Sequence, residues 1–348
     1  MSHPSGTERR KHDHLRIVLE EDVRARGITT GFERLRLPHR ALPELDARAI
    51  DMTTTVWGRS LRAPFLISSM TGGTAEAGEI NRRLAEAAQE LGIGMGLGSQ
   101  RAAIEDSSLA ETYRVRSVAP DVLLFANLGA VQLNYGYGPD ECLRAVDMIE
   151  ADALILHCNA LQEAVQPGGN TNFAGLLAKI EQVCQALPVP VIAKEVGNGV
   201  DGEVARQLAD AGVEAIDVAG AGGTSWSEVE SHRQEDSRGV TVARAFAGWG
   251  LPTAEAIRQV RDALPDILVI GSGGIRSGVD AAKAIALGAD LVGTATPMLS
   301  PAMDLAAAVV ERYTVFIKQL RVAMFCTGAA DLTALRGVAV VHNANEQA

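Results

Sequence analysis

The chain has 348 residues, of which 47% are hydrophobic and 35 are glycine. This composition is typical of a folded globular protein with a large core, and it excludes a disordered or fibrous chain. The formal net charge of −11 at pH 7 disfavours a general binder of nucleic acid, so any phosphate must be recognised by a local cluster of residues.

The N-terminus and the cysteines indicate where the protein works. Residues 1–14 are polar and basic, with no apolar stretch typical of a signal peptide, and no segment reaches 18 apolar residues without a charge. We therefore expect a cytoplasmic protein that does not associate with membranes. The cysteines are scattered without C-x-x-C spacing, which predicts reduced thiols and neither a zinc cluster nor a disulfide framework. They are Cys142, Cys158, Cys184 and Cys326.

Residues 1–60 show no alternation of strand and helix patterns, and we predict that they form an N-terminal arm. The arm contains a basic run from Arg9 to His14. Such a charge run is ordinarily a solvated, flexible end of the chain. The alternative is that its cations close over an anionic substrate when that substrate is present.

From Pro64 onward, short apolar runs alternate with amphipathic segments. The alternation predicts an α/β fold of parallel βαβ units, and eight units can close a (β/α)8 TIM barrel over residues 61–335, leaving a C-terminal tail at 336–348. An open, doubly wound sheet is the alternative, although polar and glycine-rich residues follow nearly every strand, as on the catalytic face of a barrel. The predicted strands are Phe65 to Ser68, Ile93 to Leu97, Val122 to Asn127, Ala153 to His157, Val189 to Lys194, Ala215 to Val218, Ile267 to Gly271 and Leu291 to Gly293.

Most connections between these strands have helical patterns. The connection after the second strand is the least clear. The connection after the sixth strand, Gly220 to Pro252, is unusually long, and we predict a structureless loop that acts as a lid or a binding loop. The predicted helices are Gly78 to Leu91, Asp140 to Ile149, Phe173 to Leu187, Val204 to Ala211, Thr253 to Leu264, Val279 to Leu287 and Met303 to Gln319.

The turns after the seventh and eighth strands have the position and the glycines of a barrel phosphate site. They comprise Gly271 to Arg276 and Gly293 to Thr296. A dinucleotide fits poorly, because Arg276 stands where the third glycine of G-x-G-x-x-G belongs. The pattern therefore favours a mononucleotide such as FMN.

Three polar residues near strand ends are candidates for contacts to a flavin ring. Ser99 and Asn127 are placed to contact the ring edge, and Lys194 is placed at the N1/O2 side. A cation there would stabilise an anionic reduced flavin. Lys194 could instead be a Schiff-base lysine or a partner of Glu195.

Four polar side chains follow the fourth strand within seven residues: His157, Asn159, Gln162 and Glu163. A histidine alone would more often be structural, but the group as a whole predicts a substrate site. Glu163 is a candidate ligand for Mg²⁺, which typically takes one or two carboxylates and substrate phosphates. The alternative for Glu163 is an acid that complements the N-terminus of a helix.

Six motifs occur in a distinctive order and spacing, and they resemble the type 2 isopentenyl-diphosphate isomerases over about residues 8–335. Two departures from that family concern loop packing: no acid follows Pro167, and Asn198 replaces a larger apolar residue. The motifs are Arg10-Lys11-x-x-His14, Ser69-Met70-Thr71-Gly72-Gly73, Gly98-Ser99-Gln100-Arg101, His157-x-Asn159-x-x-Gln162-Glu163-x-x-Gln166-Pro167, Lys194-Glu195-Val196-Gly197 and Gly222-Gly223-Thr224-Ser225-Trp226.

The resemblance implies an isomerase of isoprenoid biosynthesis that interconverts isopentenyl and dimethylallyl diphosphate by a 1,3-allylic proton shift. It implies bound FMN that is active when reduced, NAD(P)H as the reductant, Mg²⁺ on the diphosphate, and a homo-oligomer of four or eight chains. The implied residues are His157, Asn159 and Gln162 at the reacting group; Arg10, Lys11, Ser99, Gln100, Arg101 and Gln162 on the substrate; Ser69, Met70, Thr71, Ser99, Asn127, Lys194, Thr224, Gly274, Ile275, Arg276, Ala295 and Thr296 on FMN; and Glu163 on the metal.

The proposed reaction needs a proton donor and a proton acceptor beside an apolar tail. No carboxylate pair, Cys/His couple or Ser/His/Asp set in the sequence offers them, which leaves reduced flavin, with His157 and Gln162 orienting the substrate. The nearest alternative is an FMN-dependent oxidoreductase of the 2-hydroxy-acid oxidase or inosine-monophosphate dehydrogenase type. Those enzymes need a catalytic histidine late in the barrel or a cysteine in the loop after the sixth strand. Here that loop contains no cysteine, and its one histidine, His232, lies well past the glycine turn. A catalytically silent flavin-binding or regulatory barrel is a second alternative, which the presence of Arg101, Gln162 and Glu163 disfavours.

Overall fold

The computed structural model describes residues 6–342, and eight parallel strands form a closed barrel at its centre. Each barrel strand pairs with the next one in sequence, and the last strand pairs with the first, where Val292 lies opposite Phe65. The predicted (β/α)8 TIM barrel is therefore confirmed, and the doubly wound alternative is wrong.

The arm that precedes the barrel contains one helix and three short strands: α1 (Gly6–Glu20), β1 (Leu35–Arg36), β2 (Thr54–Val56) and β3 (Arg59–Leu61). Strands β2 and β3 form an antiparallel hairpin. Val56 and Leu61 of this hairpin pack into the apolar cluster inside the barrel, and Trp57 meets Phe125 edge to face at 6.0 Å. The hairpin thus contributes to the apolar core inside the barrel.

The barrel strands coincide with the eight predicted runs to within a few residues. Nearly all of their side chains are buried, because the helices cover the outside of the barrel and apolar side chains fill its interior. The strands are β4 (Phe65–Ile67), β5 (Gly94–Gly96), β6 (Leu124–Gly129), β7 (Ala153–Cys158), β8 (Val191–Glu195), β9 (Ala215–Asp217), β10 (Leu268–Gly271) and β11 (Leu291–Thr294).

Local caps position the outer helices. Thr74 accepts a hydrogen bond from the Ala77 amide at the start of the first barrel helix, and Gly92 ends that helix in the left-handed conformation. Short 3₁₀ segments lie at Phe32–Arg34, Ala47–Ala49, Ser107–Thr112 and Ala130–Asn134. The helices are α2 (Ala75–Leu91), α3 (Arg101–Glu105), α4 (Pro139–Ile149), α5 (Ala160–Val165), α6 (Leu176–Ala186), α7 (Gly202–Asp210), α8 (Trp226–Ser231), α9 (Ser237–Arg244), α10 (Thr253–Ala263), α11 (Gly278–Ala286), α12 (Thr296–Asp304), α13 (Ala306–Thr327) and α14 (Leu332–Arg336).

Two predictions about the connections are wrong. The segment from Gly220 to Pro252 is not structureless, because it folds into the short helices α8 and α9, whose N-termini are capped by Ser225 and Asp236. The helix predicted from Met303 to Gln319 starts three residues later, at Ala306 in α13, because the extended backbone of Leu305 separates it from α12, which ends at Asp304. The unclear connection after the second barrel strand contains α3 and a 3₁₀ segment.

The end of the described chain returns to the arm. Strand β12 (Val341–His342) pairs with β1 in antiparallel register. Residues 343–348 of the predicted C-terminal tail lie outside the described residues. Within residues 6–342, no helix combines the length and the apolar character needed to cross a bilayer.

Candidate active site

A cavity of about 670 Å³ lies at the carboxyl ends of the barrel strands, and helix α1 lines one side of it. This volume lies in the range of small-molecule and cofactor sites. Nineteen of the twenty predicted site residues line it. They are Arg10, Lys11, Ser69, Met70, Thr71, Ser99, Arg101, Asn127, His157, Asn159, Gln162, Glu163, Lys194, Thr224, Gly274, Ile275, Arg276, Ala295 and Thr296.

Gln100 is the exception, and its assignment to the substrate needs correction. The side chain is fully buried and turned outward, where its Nε2 donates to the Ala145 carbonyl at 2.8 Å. Its Oε1 accepts from the backbone amide of Asn127 at 2.9 Å. Gln100 therefore joins two neighbouring units of the barrel and supports the backbone of Asn127 instead of contacting a ligand.

Three cations converge at one end of the cavity. Arg10 and Lys11 come from helix α1, and Arg101 comes from the turn after β5. Lys11 Nζ donates to the Ser99 carbonyl at 3.4 Å. Burial and the charges of Arg10 and Arg101 lower the pKa of Lys11 to about 8. Burial and Arg101 also lower the pKa of Arg10. Positive charges brought together in this way favour a multiply charged anion.

His157 lies at the end of β7 and faces the same cavity. Its Nδ1 is 2.8 Å from Oδ1 of Asn127, so the ring donates a proton to the amide oxygen. Burial, followed by the charges of Lys11 and Lys194, lowers the pKa of His157 to about 3. The imidazole is therefore neutral near pH 7 and acts there as a hydrogen-bonding group of fixed orientation.

The residues after β7 form one buried hydrogen-bonded network. Asn159 Nδ2 donates to Gln162 Oε1 at 3.1 Å and to Glu163 Oε1 at 3.2 Å. Glu163 Oε2 accepts from Gln166 Nε2 at 2.5 Å and from the Asn170 amide at 2.6 Å. These bonds fix the carboxylate of Glu163 in the cavity wall, which a simple acid at the start of a helix would not require.

Two functional candidates, His14 and Glu230, were not assigned a role from the sequence. Glu230 Oε1, on helix α8, accepts from Gln162 Nε2 at 3.0 Å and lies 2.8 Å from His14 Nε2. Burial opposes ionisation of Glu230, but the contacts with His14 and Arg233 outweigh it and lower the pKa of the carboxyl group. The motif Arg10-Lys11-x-x-His14 was a signal for His14, whereas Glu230 lies inside the segment predicted to be structureless.

The opposite end of the cavity is formed by glycine-rich turns. A side chain at Gly223 would place its Cβ 2.6 Å from the amide nitrogen of Gly274, so only glycine permits this approach of two turns. Gly274, after β10, has a φ of 68°. Thr224 Oγ1, after β9, lies 2.9 Å from Oγ1 of Thr296, after β11. Helix α12 begins at Thr296, and the positive end of its dipole would favour an anion near this turn.

Lys194 lies on the floor of the cavity. Its Nζ donates to Asp217 Oδ2 at 2.8 Å. The suggested partner Glu195 is engaged elsewhere, because its Oε2 accepts from the amides of Val196, Gly197 and Asn198 at 2.6–2.7 Å. The interpretation of Lys194 as a partner of Glu195 is therefore wrong, and the ammonium group is held by Asp217.

The described residues contain no group of three or more His, Cys, Asp or Glu side chains arranged to hold a metal ion. Glu163 does not belong to such a group among these residues, so a hard cation there would need further oxygen ligands, for example from a bound anion.

Comparison with known proteins places this site in a family. The FMN-dependent dehydrogenase family matches residues 7–116 and 159–342. Proteins named isopentenyl-diphosphate delta-isomerase are similar over nearly the whole chain. The one from Synechocystis sp. is 63% identical and covers 96% of this chain and 95% of its own length. The one from Nostoc sp. is 57% identical and covers 96% of each chain.

Solved structures share the fold at much lower identity. Mandelate oxidase with benzoyl-formic acid is 20% identical, with a TM-score of 0.64 over 90% of this chain and 88% of its own. A lactate oxidase of Pediococcus acidilactici is 18% identical, with a TM-score of 0.64 over 92% and 88%. These likenesses concern the barrel alone. By its sequence over nearly its full length, the chain belongs to the type 2 isopentenyl-diphosphate delta-isomerase family.

Proposed function

We propose that the protein interconverts isopentenyl and dimethylallyl diphosphate by moving a proton across the allylic system, with FMN as its resident cofactor. The observation that carries this proposal is one cavity that is lined both by clustered cations and by glycine-rich turns. Arg10, Lys11 and Arg101 form one end, and the glycine-rich turns near Gly274 and Thr296 form the other. A diphosphate substrate and the phosphate of FMN would occupy these two ends.

The residues at the second end fit a flavin mononucleotide. Ser68 Oγ and Ser69 Oγ are buried at the cavity and have no hydrogen-bond partner among the described residues, so a polar group of a ligand would satisfy them. Asn127 and Lys194 also line the space between the two ends. Reduced FMN, when bound, would supply the proton-transferring group that the protein side chains do not.

The protein's own residues would hold the substrate on either side of the reacting carbons. Arg10, Lys11 and Arg101 would bind the diphosphate through charge-assisted hydrogen bonds. Neutral His157, fixed by Asn127, would orient the substrate without competing for its protons. The residues that orient and hold the substrate would thus lie at the carboxyl ends of the strands and on the arm.

Gln162 would contact the substrate from the wall of the cavity. Its amide is held between Asn159 and Glu230, at 3.1 Å and 3.0 Å. Because the Glu230 carboxylate accepts from both Gln162 and His14, the position of helix α1 would help to fix the direction of the Gln162 amide. Such orientation contributes to catalysis by reducing the entropy lost on reaching the reactive geometry.

Mg²⁺ would join the site together with the substrate. Glu163 offers one fixed carboxylate, and the diphosphate oxygens and water would complete the coordination. NAD(P)H as the reductant and a homo-oligomer of four or eight chains follow from the family resemblance, and a cytoplasmic location follows from the N-terminus and the cysteines; all three stay predictions.

The test is an anaerobic assay of the purified flavoprotein with isopentenyl diphosphate and Mg²⁺. We expect dimethylallyl diphosphate to form after dithionite or NAD(P)H reduces the flavin, and not in the oxidised enzyme. Turnover by flavin-free or fully oxidised protein would contradict the proposal. Protein that binds FMN but oxidises a 2-hydroxy acid would instead be an oxidoreductase.

A further inference from the structure

A buried network of three side chains lies beneath the cavity, at the ends of three neighbouring strands. Lys194 is the next-to-last residue of β8, Asp217 ends β9, and Ser272 follows β10. Lys194 Nζ donates to Asp217 Oδ2 at 2.8 Å and lies 3.4 Å from Ser272 Oγ. Ser272 Oγ donates to the other carboxylate oxygen, Asp217 Oδ1, at 2.5 Å. Both oxygens of Asp217 are therefore used.

The three residues differ in their access to the cavity. Lys194 and Ser272 line it, whereas Asp217 is 0% exposed and lies behind them. A buried carboxylate is unfavourable unless a cation or hydrogen bonds compensate it, and among the described residues its ion pair is with Lys194. The roles are thus separate: Lys194 meets the ligand, and Asp217 acts through Lys194.

The geometry restricts both the position and the field of the ammonium group. A lysine has a flexible stem and three donors, and two of those donors point to Asp217 and Ser272. The third is left to face the cavity. The carboxylate 2.8 Å behind the nitrogen opposes its positive potential, so a ligand in the cavity experiences a paired charge instead of a free cation.

We propose that Asp217 is a positioning residue that fixes the Lys194 ammonium toward the flavin and offsets its charge, which keeps the reduction potential of the bound flavin low. This inference rests on the proposed function, since it requires FMN in the cavity. Reduction adds negative charge to a flavin, so a nearby cation raises its potential and a compensated cation raises it less.

The test measures the midpoint potential of FMN-loaded protein by spectroelectrochemistry at pH 7. In Asp217→Asn the side chain keeps its shape but loses its charge, and Lys194 becomes uncompensated. We expect the ratio of reduced to oxidised flavin at a fixed potential to rise at least tenfold, which is about 30 mV for a two-electron couple. Ser272→Ala, which keeps both charges, should shift the ratio less.

A double variant keeps the test decisive if Asp217→Asn does not fold. Lys194→Met with Asp217→Asn replaces a paired charge by a neutral pair. The ratio of reduced to oxidised flavin at a fixed potential should therefore stay within tenfold of the wild-type ratio. A fall of this ratio by more than tenfold would show that Lys194 acts as an unopposed cation in the wild-type protein, and it would overturn the inference. An unchanged or lowered potential in Asp217→Asn would also overturn it.

The proposed function fails on different results. It fails if wild-type protein does not bind FMN, or does not isomerise isopentenyl diphosphate when reduced. The inference fails alone if wild-type protein does both but the potential does not respond to Asp217 as described.

Discussion

His14 Nε2 lies 2.8 Å from Glu230 Oε1, although 216 residues separate them in the sequence. His14 comes from helix α1 and Glu230 from helix α8, so this contact joins the N-terminal arm to the insertion after the sixth barrel strand. The His14 ring also meets Trp226 edge to face at 5.1 Å. The same Glu230 oxygen accepts from Gln162, which places the contact next to the proposed substrate.

Replacing His14 with alanine should weaken substrate binding more than it weakens the fold. The contact to Glu230 is a hydrogen bond to a charged group, worth about 1.5–3 kcal/mol, so KM for isopentenyl diphosphate should rise about tenfold or more. Steady-state kinetics of the reduced enzyme measures this change. His12→Ala is the control, because His12 is exposed on the same helix. Equal KM values for the two variants would contradict the role of His14.

Replacing Gln100 with leucine should destabilise the barrel. The change leaves the Ala145 carbonyl and the Asn127 amide without their buried partner, at a cost of about 2–4 kcal/mol in the free energy of unfolding. Urea unfolding followed by circular dichroism measures the loss. Gln185→Leu on the exposed face of α6 should change stability by less than about 0.5 kcal/mol. A raised KM with unchanged stability would restore Gln100 to the substrate site.

Gln100 also illustrates what the sequence could predict. Periodicity located all eight strands, and the rule that barrel sites lie at strand ends brought Ser99 and Arg101 to the cavity. The rule does not say which way each side chain of a turn points. Gln100 was therefore grouped with its neighbours, although its side chain enters the core between two barrel units.

Glu230 could not be found in that way, because it lies 13 positions beyond β9 on a helix of six residues. A helix so short has too few turns to show a clear apolar period, and the segment around it was predicted to be a loop. Its partner His14 lies 216 positions away in the sequence, on helix α1. Contacts between an arm and an insertion are set by tertiary packing, which local patterns do not contain.

The charge of Lys11 should make substrate capture depend on pH. Because burial and neighbouring arginines lower its pKa to about 8, Lys11 carries its charge below pH 8 and loses it above. We expect kcat/KM for isopentenyl diphosphate to fall as pH rises through about 8, since this ratio reports ionisations of the free enzyme. The Lys11→Arg variant should keep its charge, and therefore its kcat/KM, to higher pH. The Lys11→Met variant should have a low kcat/KM at every pH. A wild-type profile parallel to that of Lys11→Met would exclude this role.

Replacing Glu163 with glutamine should weaken the response to Mg²⁺ while FMN stays bound. The amide keeps the shape of the side chain but removes the anionic oxygen that a hard cation prefers. The Mg²⁺ concentration for half-maximal rate should rise about tenfold, which corresponds to about 1.4 kcal/mol. Glu181→Gln, on the exposed face of α6, is the control. Loss of FMN with an unchanged Mg²⁺ requirement would show that Glu163 contacts the flavin and not the metal ion.

We propose that this barrel uses a bound flavin for isomerisation with no net oxidation or reduction. The most direct measurement follows product formation and the flavin absorbance together, in one anaerobic cuvette of reduced enzyme, Mg²⁺ and excess isopentenyl diphosphate. We expect many turnovers to dimethylallyl diphosphate while the flavin spectrum stays that of the reduced form. Oxidation of one flavin for each substrate consumed, with a saturated diphosphate formed in place of dimethylallyl diphosphate, would contradict it.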